Sequence, residues 1–340
     1  MAKDLTNSSV DRQNILNNQY AINEIEKAVK LQGFIFDGKF VLTLEQVADF
    51  YEVTLRTIKN YTKKYETELK QNGYEVLRGN RLSDFKLKAK PMDVSEINFL
   101  NIKASQLAIF DFRAFLNLAM LLVESERARL LRQTILDIVI DTINAKTGGG
   151  TKYINQRDED FLKSWFKGEN YRQQFTHALS AYVNMGNFKY PLYTDRIYVS
   201  IFKEKAAEYR AILRLQKNDK VRDTFYAEVL DLVAAYEYGF AKLLEEESHR
   251  IGRKLTFYET DELFRKFEKQ SLWKPLVDKA RVKMASRDLA FRDALHLQLE
   301  EYITPLQAEE FERFLGEKSK ELAERLEEAK DVMKRLKDRE

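Results

Sequence analysis

The chain has 340 residues, 44% of them hydrophobic and 33% charged, with a formal net charge of only +3. That balance excludes a disordered chain and a general polycation, so any nucleic-acid footprint has to be a local patch. The absence of cysteine excludes disulfide frameworks, thiol nucleophiles and cysteine-held zinc, and suits a reducing, cytoplasmic setting.

Only 12 glycines and 4 prolines interrupt the chain, which predicts a mainly α fold. Residues 1–20, rich in Asn, Ser and Asp, read as a loosely held arm, polar and without an apolar signal core. Helical spacing follows over 20–32. "GFIFDGKFVLT" (33–43) reads as a β-hairpin turning at Asp37-Gly38.

"TLEQVADFYEVTLRTIKNY" (43–61) reads as two short helices joined by a turn. A helix-turn-helix needs a small residue where its helices meet, apolar residues between them and polar residues outward on the second. Ala48 is the small contact, Val47 and Tyr51 line the first helix, Val53 plugs the turn, and Ile58 and Tyr61 anchor the second. A single helix through 44–69 leaves Val53 and Leu55 off its apolar stripe. Many such turns carry Gly just before the plug residue; this one has Glu52.

In the two-helix reading Thr54 caps the second helix, and Leu55, Arg56, Thr57, Lys59 and Asn60 point away from the first. Arg56, Lys59 and Asn60 suit base edges, and Thr57 suits phosphate. From Thr54 to Lys90 stand ten Lys or Arg against four acids. Lys63 and Lys64 extend the phosphate anchor. "GYEVLRGNRLSDFKLKAK" (73–90) reads as a second hairpin, a wing tipped by Arg78 and Arg81. Residues 33–90 thus read as a winged helix-turn-helix.

Residues 91–150 read as a small α+β module: strands within 97–112, then helices over 113–123 and 126–144, the second capped by Ser125. "AKTGGGT" (145–151) is a linker, and its Lys precedes the glycines, the wrong order for a phosphate loop. Residues 151–340 read as a helical C-terminal domain, the pattern being almost wholly helical from about 156. Leu315, Leu322, Leu326, Ala329, Met333 and Leu336 fall in a heptad register, suited to a homodimer or to packing on the same domain. No run is long enough to span a bilayer.

The hairpin running into "LTLEQVADFYEVTLRTIKNYTKKY", the segment "QLAIFDFRAFLNLAMLLV" and the helix start "SERARLLRQTIL" together resemble the virulence-associated RhuM family. More distantly they resemble the N-terminal domains of phage antirepressors. The resemblance covers about residues 33–144. It implies a DNA-binding region, and makes Arg127, Arg129 and Arg132 a second basic cluster. The helical half, with "YPLYTDRIYVSIFKEKAAEYR" and "ARVKMASRDLAFRDALHLQLEEYITP", resembles the C-terminal part of proteins labelled as DNA-binding, some of which sit near mobile defence genes. That resemblance implies a mobile-element or phage-defence setting and supplies no reaction.

The sequence offers little to an enzyme. None of the three histidines, His177, His249 and His296, has a second histidine at helical reach. His296 with Glu300 at i+4 is one geometrically permitted pair, read as a helix-surface pair or a packing histidine. "HALSAYVNMGNFK" departs from the Fic and Doc pattern in spacing and in having Phe188 where a basic residue belongs. Asp195, Asp223, Glu228, Asp231, Asp288 and Asp293 interleave with Arg196, Arg222, Arg287 and Arg292, which reads as ion pairing between helices, with Ser286 as a cap. No catalytic residue, metal or cofactor is assigned. The reading is a sequence-specific regulator of double-stranded DNA; the alternative is a toxin-like or nuclease-like effector that the N-terminal part targets to DNA.

Overall fold

The computed structural model describes residues 4–29, 31–91, 105–158 and 160–316. It is mainly helical with one small antiparallel sheet. The chain divides into two compact units, Met1–Ala145 and Lys146–Glu340.

The first unit opens with α1 (Ser9–Asn17) and α2 (Gln19–Ala28). β1 (Phe34–Phe36) and β2 (Lys39–Thr43) form the hairpin expected around Asp37-Gly38. Both turn residues have positive φ, 49° and 75°, the geometry a two-residue turn needs to match strand twist. Then come α3 (Leu44–Phe50), α4 (Leu55–Lys64), α5 (Glu66–Gln71), β3 (Tyr74–Arg78), α6 (Gly79–Lys88) and β4 (Lys90–Pro91). β5 (Gln106–Asp111), α7 (Phe112–Leu121) and α8 (Glu126–Lys146) complete it. The strands lie in the order β3-β5-β2-β1-β4, every pair antiparallel.

Strand alternation divides the apolar residues between two cores. Phe34, Phe36, Val41, Leu77, Leu107 and Ile109 face Leu82 and Phe85 of α6. Leu42 and Phe110 face the larger core of α3, α4 and α7, in which Val47, Tyr51, Ile58 and Phe115 are fully buried.

Three expectations fail here. The N-terminal stretch is no loose arm: Ser8 caps α1, Leu5, Ile15 and Leu16 join the large core, and buried Arg12 pairs with Glu68 at 2.7 Å. The hairpin expected over 73–90 does not form: its first half is β3, Gly79–Lys88 is α6, and Lys90 begins β4, which pairs with β1. Leu82 and Phe85 lie one turn apart, and Phe85 packs edge-on against Phe34 and Phe36, so burial of a helical stripe overrides the turn signal of Gly79-Asn80. Residues 33–90 and 91–150 are also not separate modules, since β5 lies between β3 and β2. Strand 106–111 and the two helices after it form as expected, and Ser125 Oγ caps α8 by accepting the Ala128 N–H at 3.0 Å. The strand expected near 97–103 lies outside the described residues.

The second unit is helical: α9 (Phe161–Tyr182), α10 (Lys189–Phe202), α11 (Ala206–Ile212), α12 (Ala227–Ile251), α13 (Phe257–Glu268), α14 (Trp273–Arg287) and α15 (Ala308–Leu315). α9 and α12 form its longest pairing, and aromatic residues such as Phe175, Tyr193, Phe240 and Phe264 fill the space beside them. Of the arginines in the Arg–carboxylate alternation, Arg196, Arg222 and Arg287 pair between helices, whereas Arg292 pairs with Asp288 four residues away. Asp195 and Asp223 accept hydrogen bonds from the Ala206 N–H and from Trp165 respectively. Glu237 lies between Arg172 and Arg222, Arg287 bridges Glu228 and Glu310, and Arg196 meets Asp261. Ser286 is no cap; it sits inside α14 and accepts the Thr304 N–H. The heptad positions beyond Leu315 lie outside the described residues. No described helix is long and apolar enough to cross a membrane.

Candidate nucleic-acid interface

The chain reverses between α3 and α4, and the reversal depends on Glu52. Its φ is 53°, the left-handed conformation that Gly supplies without strain. The Val53 N–H bonds back to Ala48 O at 3.0 Å, so the turn closes with a side chain at the strained position. Val53 packs partly buried against the large core, as the plug was expected to do.

Thr54 then starts α4. Its hydroxyl accepts the Thr57 N–H at 3.1 Å and lies 3.0 Å from the Thr57 hydroxyl, satisfying one of the free donors of the first turn. Thr43 does the same for α3, with Gln46 closing a capping box. Ile58 and Thr62 are buried and Tyr61 is half-buried, so α4 is held by one face.

The other face is exposed and cationic. Arg56, Lys59, Asn60, Lys63 and Lys64 all lie on the surface, at helical spacings of three and four. Residues 55–64 contain four cations and no acid. Arg56, Lys59 and Lys63 have no ion-pair partner among the described residues, and Lys64 lies over the Tyr65 ring at 5.0 Å. Thr57 is half-buried and engaged with Thr54. Leu55, 40% exposed, borders the cationic face.

Arg78 and Arg81 belong to a different place in the fold. Arg78 is exposed at the end of β3. Arg81 lies in α6, where its guanidinium bonds to Asp37 at 2.5 Å, reaches Glu75 at 3.4 Å and stacks over Phe36. Those two carboxylates raise its already high pKa. A guanidinium flanked by two acids presents little net charge to a phosphate. It lines instead a cleft of about 430 Å³ on the sheet, together with Lys39, Lys70, Tyr74 and Asp111. Acids and bases alternate around that cleft, and Lys70 is paired with Glu66, so no ligand chemistry stands out there.

The second basic cluster is likewise committed to structure. Arg129 pairs with Glu126, Arg132 donates to Ala119 O and Leu122 O at the end of α7, and Arg127 donates to Phe50 O and pairs with Glu52. Of the three, Arg127 and Arg132 bond carbonyls, the first Phe50 O far back in the chain and the second Ala119 O and Leu122 O at the end of the preceding helix, whereas Arg129 stays with Glu126 on its own helix.

The histidine question is also settled by geometry. His296 does not face Glu300; it is buried between Glu204 and Asp288, in a cluster completed by Arg292, Tyr209 and Tyr226. These side chains are fully or almost fully buried and bonded to one another. No group of three or more His, Asp or Glu able to hold a metal occurs among the described residues.

Comparison with known proteins adds no relative: no protein-family model, no curated protein and no solved structure matches the chain.

Proposed function

We propose that this chain is a cytoplasmic regulator that binds double-stranded DNA with the α3–turn–α4 unit acting as a helix-turn-helix. The observation that carries this reading is the outward face of α4, where four cations and an Asn stand without any acid on the helix. A helix of this width enters the major groove, where Arg56, Lys59 and Asn60 meet base edges and Lys63 and Lys64 meet phosphates. The resemblance of residues 33–144 to RhuM and phage antirepressor proteins points the same way, and that of the helical half suggests a mobile-element or phage-defence setting. Arg78 remains an available phosphate contact; Arg81 is assigned no part.

Pairing of two copies through the C-terminal heptads would present two α4 helices to half-sites about one DNA turn apart, roughly 34 Å. The test is selection of duplexes from a random pool by the full chain at several salt concentrations. Enrichment of one sequence, with affinity falling steeply as salt rises, supports the reading. Absence of salt-dependent duplex affinity overturns it.

A further inference from the structure

The carbonyls at the end of α3 are capped from far along the chain. A helix leaves its last carbonyls without intrahelical partners. Here Ser125 Oγ donates to Tyr51 O at 2.6 Å, and Arg127 donates to Phe50 O at 3.0 Å. The same arginine pairs with Glu52 at 2.8 Å, on the strained residue of the turn. Ser125 is buried and simultaneously caps α8, so the start of α8 and the end of α3 share one hydroxyl.

The same junction also grips α4. Tyr61 Oη donates to Glu124 Oε2 at 2.7 Å and accepts the Val123 N–H at 3.3 Å. Tyr61 stands between the buried face of α4 and its cationic face, and it is the α4 side chain that hydrogen-bonds to this junction. Burial and the bond to Glu124 raise the phenol's pKa, while that bond holds Glu124 below the usual carboxylate range. The proton therefore stays on Tyr61 at neutral pH, and the bond is charge-assisted.

We propose that the Val123–Arg127 junction sets the orientation of α4 on the body, with Tyr61 as a positioning residue for base recognition. This inference rests on the DNA-binding reading. The physical argument is leverage. α4 is short, and its buried residues are Ile58 and Thr62 with Tyr61 partly buried beside them, so packing holds it by a narrow face that leaves some freedom of roll. A bond to a separate element from Tyr61, about one turn beyond Ile58, removes that freedom. Base edges tolerate less misplacement than phosphates, which a long Lys reaches from several angles.

The experiment compares the full-length wild type with Tyr61→Phe, Glu124→Ala and Glu124→Gln on a selected duplex and on its scrambled counterpart, across salt. Phe keeps the ring packing and removes only the hydroxyl; Gln keeps an oxygen that accepts the phenol's hydrogen bond. The expected result is that Tyr61→Phe and Glu124→Ala lose about tenfold in preference for the selected duplex, the scale of one misread base pair. Affinity for the scrambled duplex and the salt slope stay as in the wild type, and Glu124→Gln retains the preference. Undiminished preference in Tyr61→Phe overturns the inference, as does an equal loss on both duplexes. A wild type without salt-dependent duplex affinity overturns the proposed function itself, and this inference with it.

Discussion

His296 Nε2 lies 2.5 Å from Asp288 Oδ2, and its Nδ1 lies 2.7 Å from Glu204 Oε2. A buried imidazole between two carboxylates is most stable as the cation. Burial opposes the charge, but the two hydrogen bonds and the two acids outweigh it, and the pKa is pushed up to about 9. Arg292 completes the neutralisation by bonding Asp288 Oδ1. The cluster ties the chain near Glu204, Thr224 and Asp288 into one knot beneath Tyr209 and Tyr226.

The pH dependence follows. A histidine raised from an ordinary value of 6.5 contributes stability that is fully present below about pH 6.5 and is lost as pH rises through about 9. Denaturant midpoints of the full chain at pH 6, 8 and 10 are expected to show the second unit weakening at the alkaline end, by on the order of 3 kcal/mol. His296→Gln is expected to be less stable at pH 6 and to lose most of this slope. An unchanged slope in that variant would assign the pH dependence elsewhere.

Gly73 has a φ of 97°, and a β-carbon there would stand 1.9 Å from Asp111 Oδ2. Asp111 caps α7 by accepting the Ala114 N–H at 2.8 Å. Gly73→Ala is therefore expected to strain the backbone and displace the cap, destabilising the first unit by about 2–3 kcal/mol. Adding Asp111→Ala removes the obstruction, so the double variant should be more stable than the sum of the two single changes implies. Strict additivity in denaturant unfolding would refute the contact.

Glu52→Gly addresses the turn. Glu52 occupies the left-handed region at a cost of about 1 kcal/mol, and its ion pair with Arg127 is solvent-exposed on both sides. The variant is expected to be as stable as the wild type or up to about 1 kcal/mol more stable. A clear loss of stability in thermal unfolding would mean that the Arg127 pair matters more than the backbone strain.

On the proposed DNA-binding reading, Arg56→Ala is expected to relax preference at one base position by roughly 1–3 kcal/mol. Lys64→Ala should weaken all duplexes evenly and reduce the salt slope by about one. Parallel titrations on selected and scrambled duplexes separate the two. Equal losses from both variants, with no change in preference, would remove direct readout by Arg56.

What the sequence determined by itself was local. The hairpin at Asp37-Gly38, the caps at Thr54 and Ser125, the break between α3 and α4 and the cationic face of α4 all depend on residues within a few positions of one another. Turn conformation, capping and helical periodicity act at that range, so they are legible in a string of letters. Only the tertiary structure decided that Arg81 is held by Asp37, that α6 stands in place of the hairpin expected over 73–90 because Phe85 packs against Phe34 and Phe36, and that His296 meets Glu204 rather than Glu300. Each of those depends on partners dozens of residues away. Charge and burial are properties of the neighbours that folding brings together, and the order of residues along the chain does not name them.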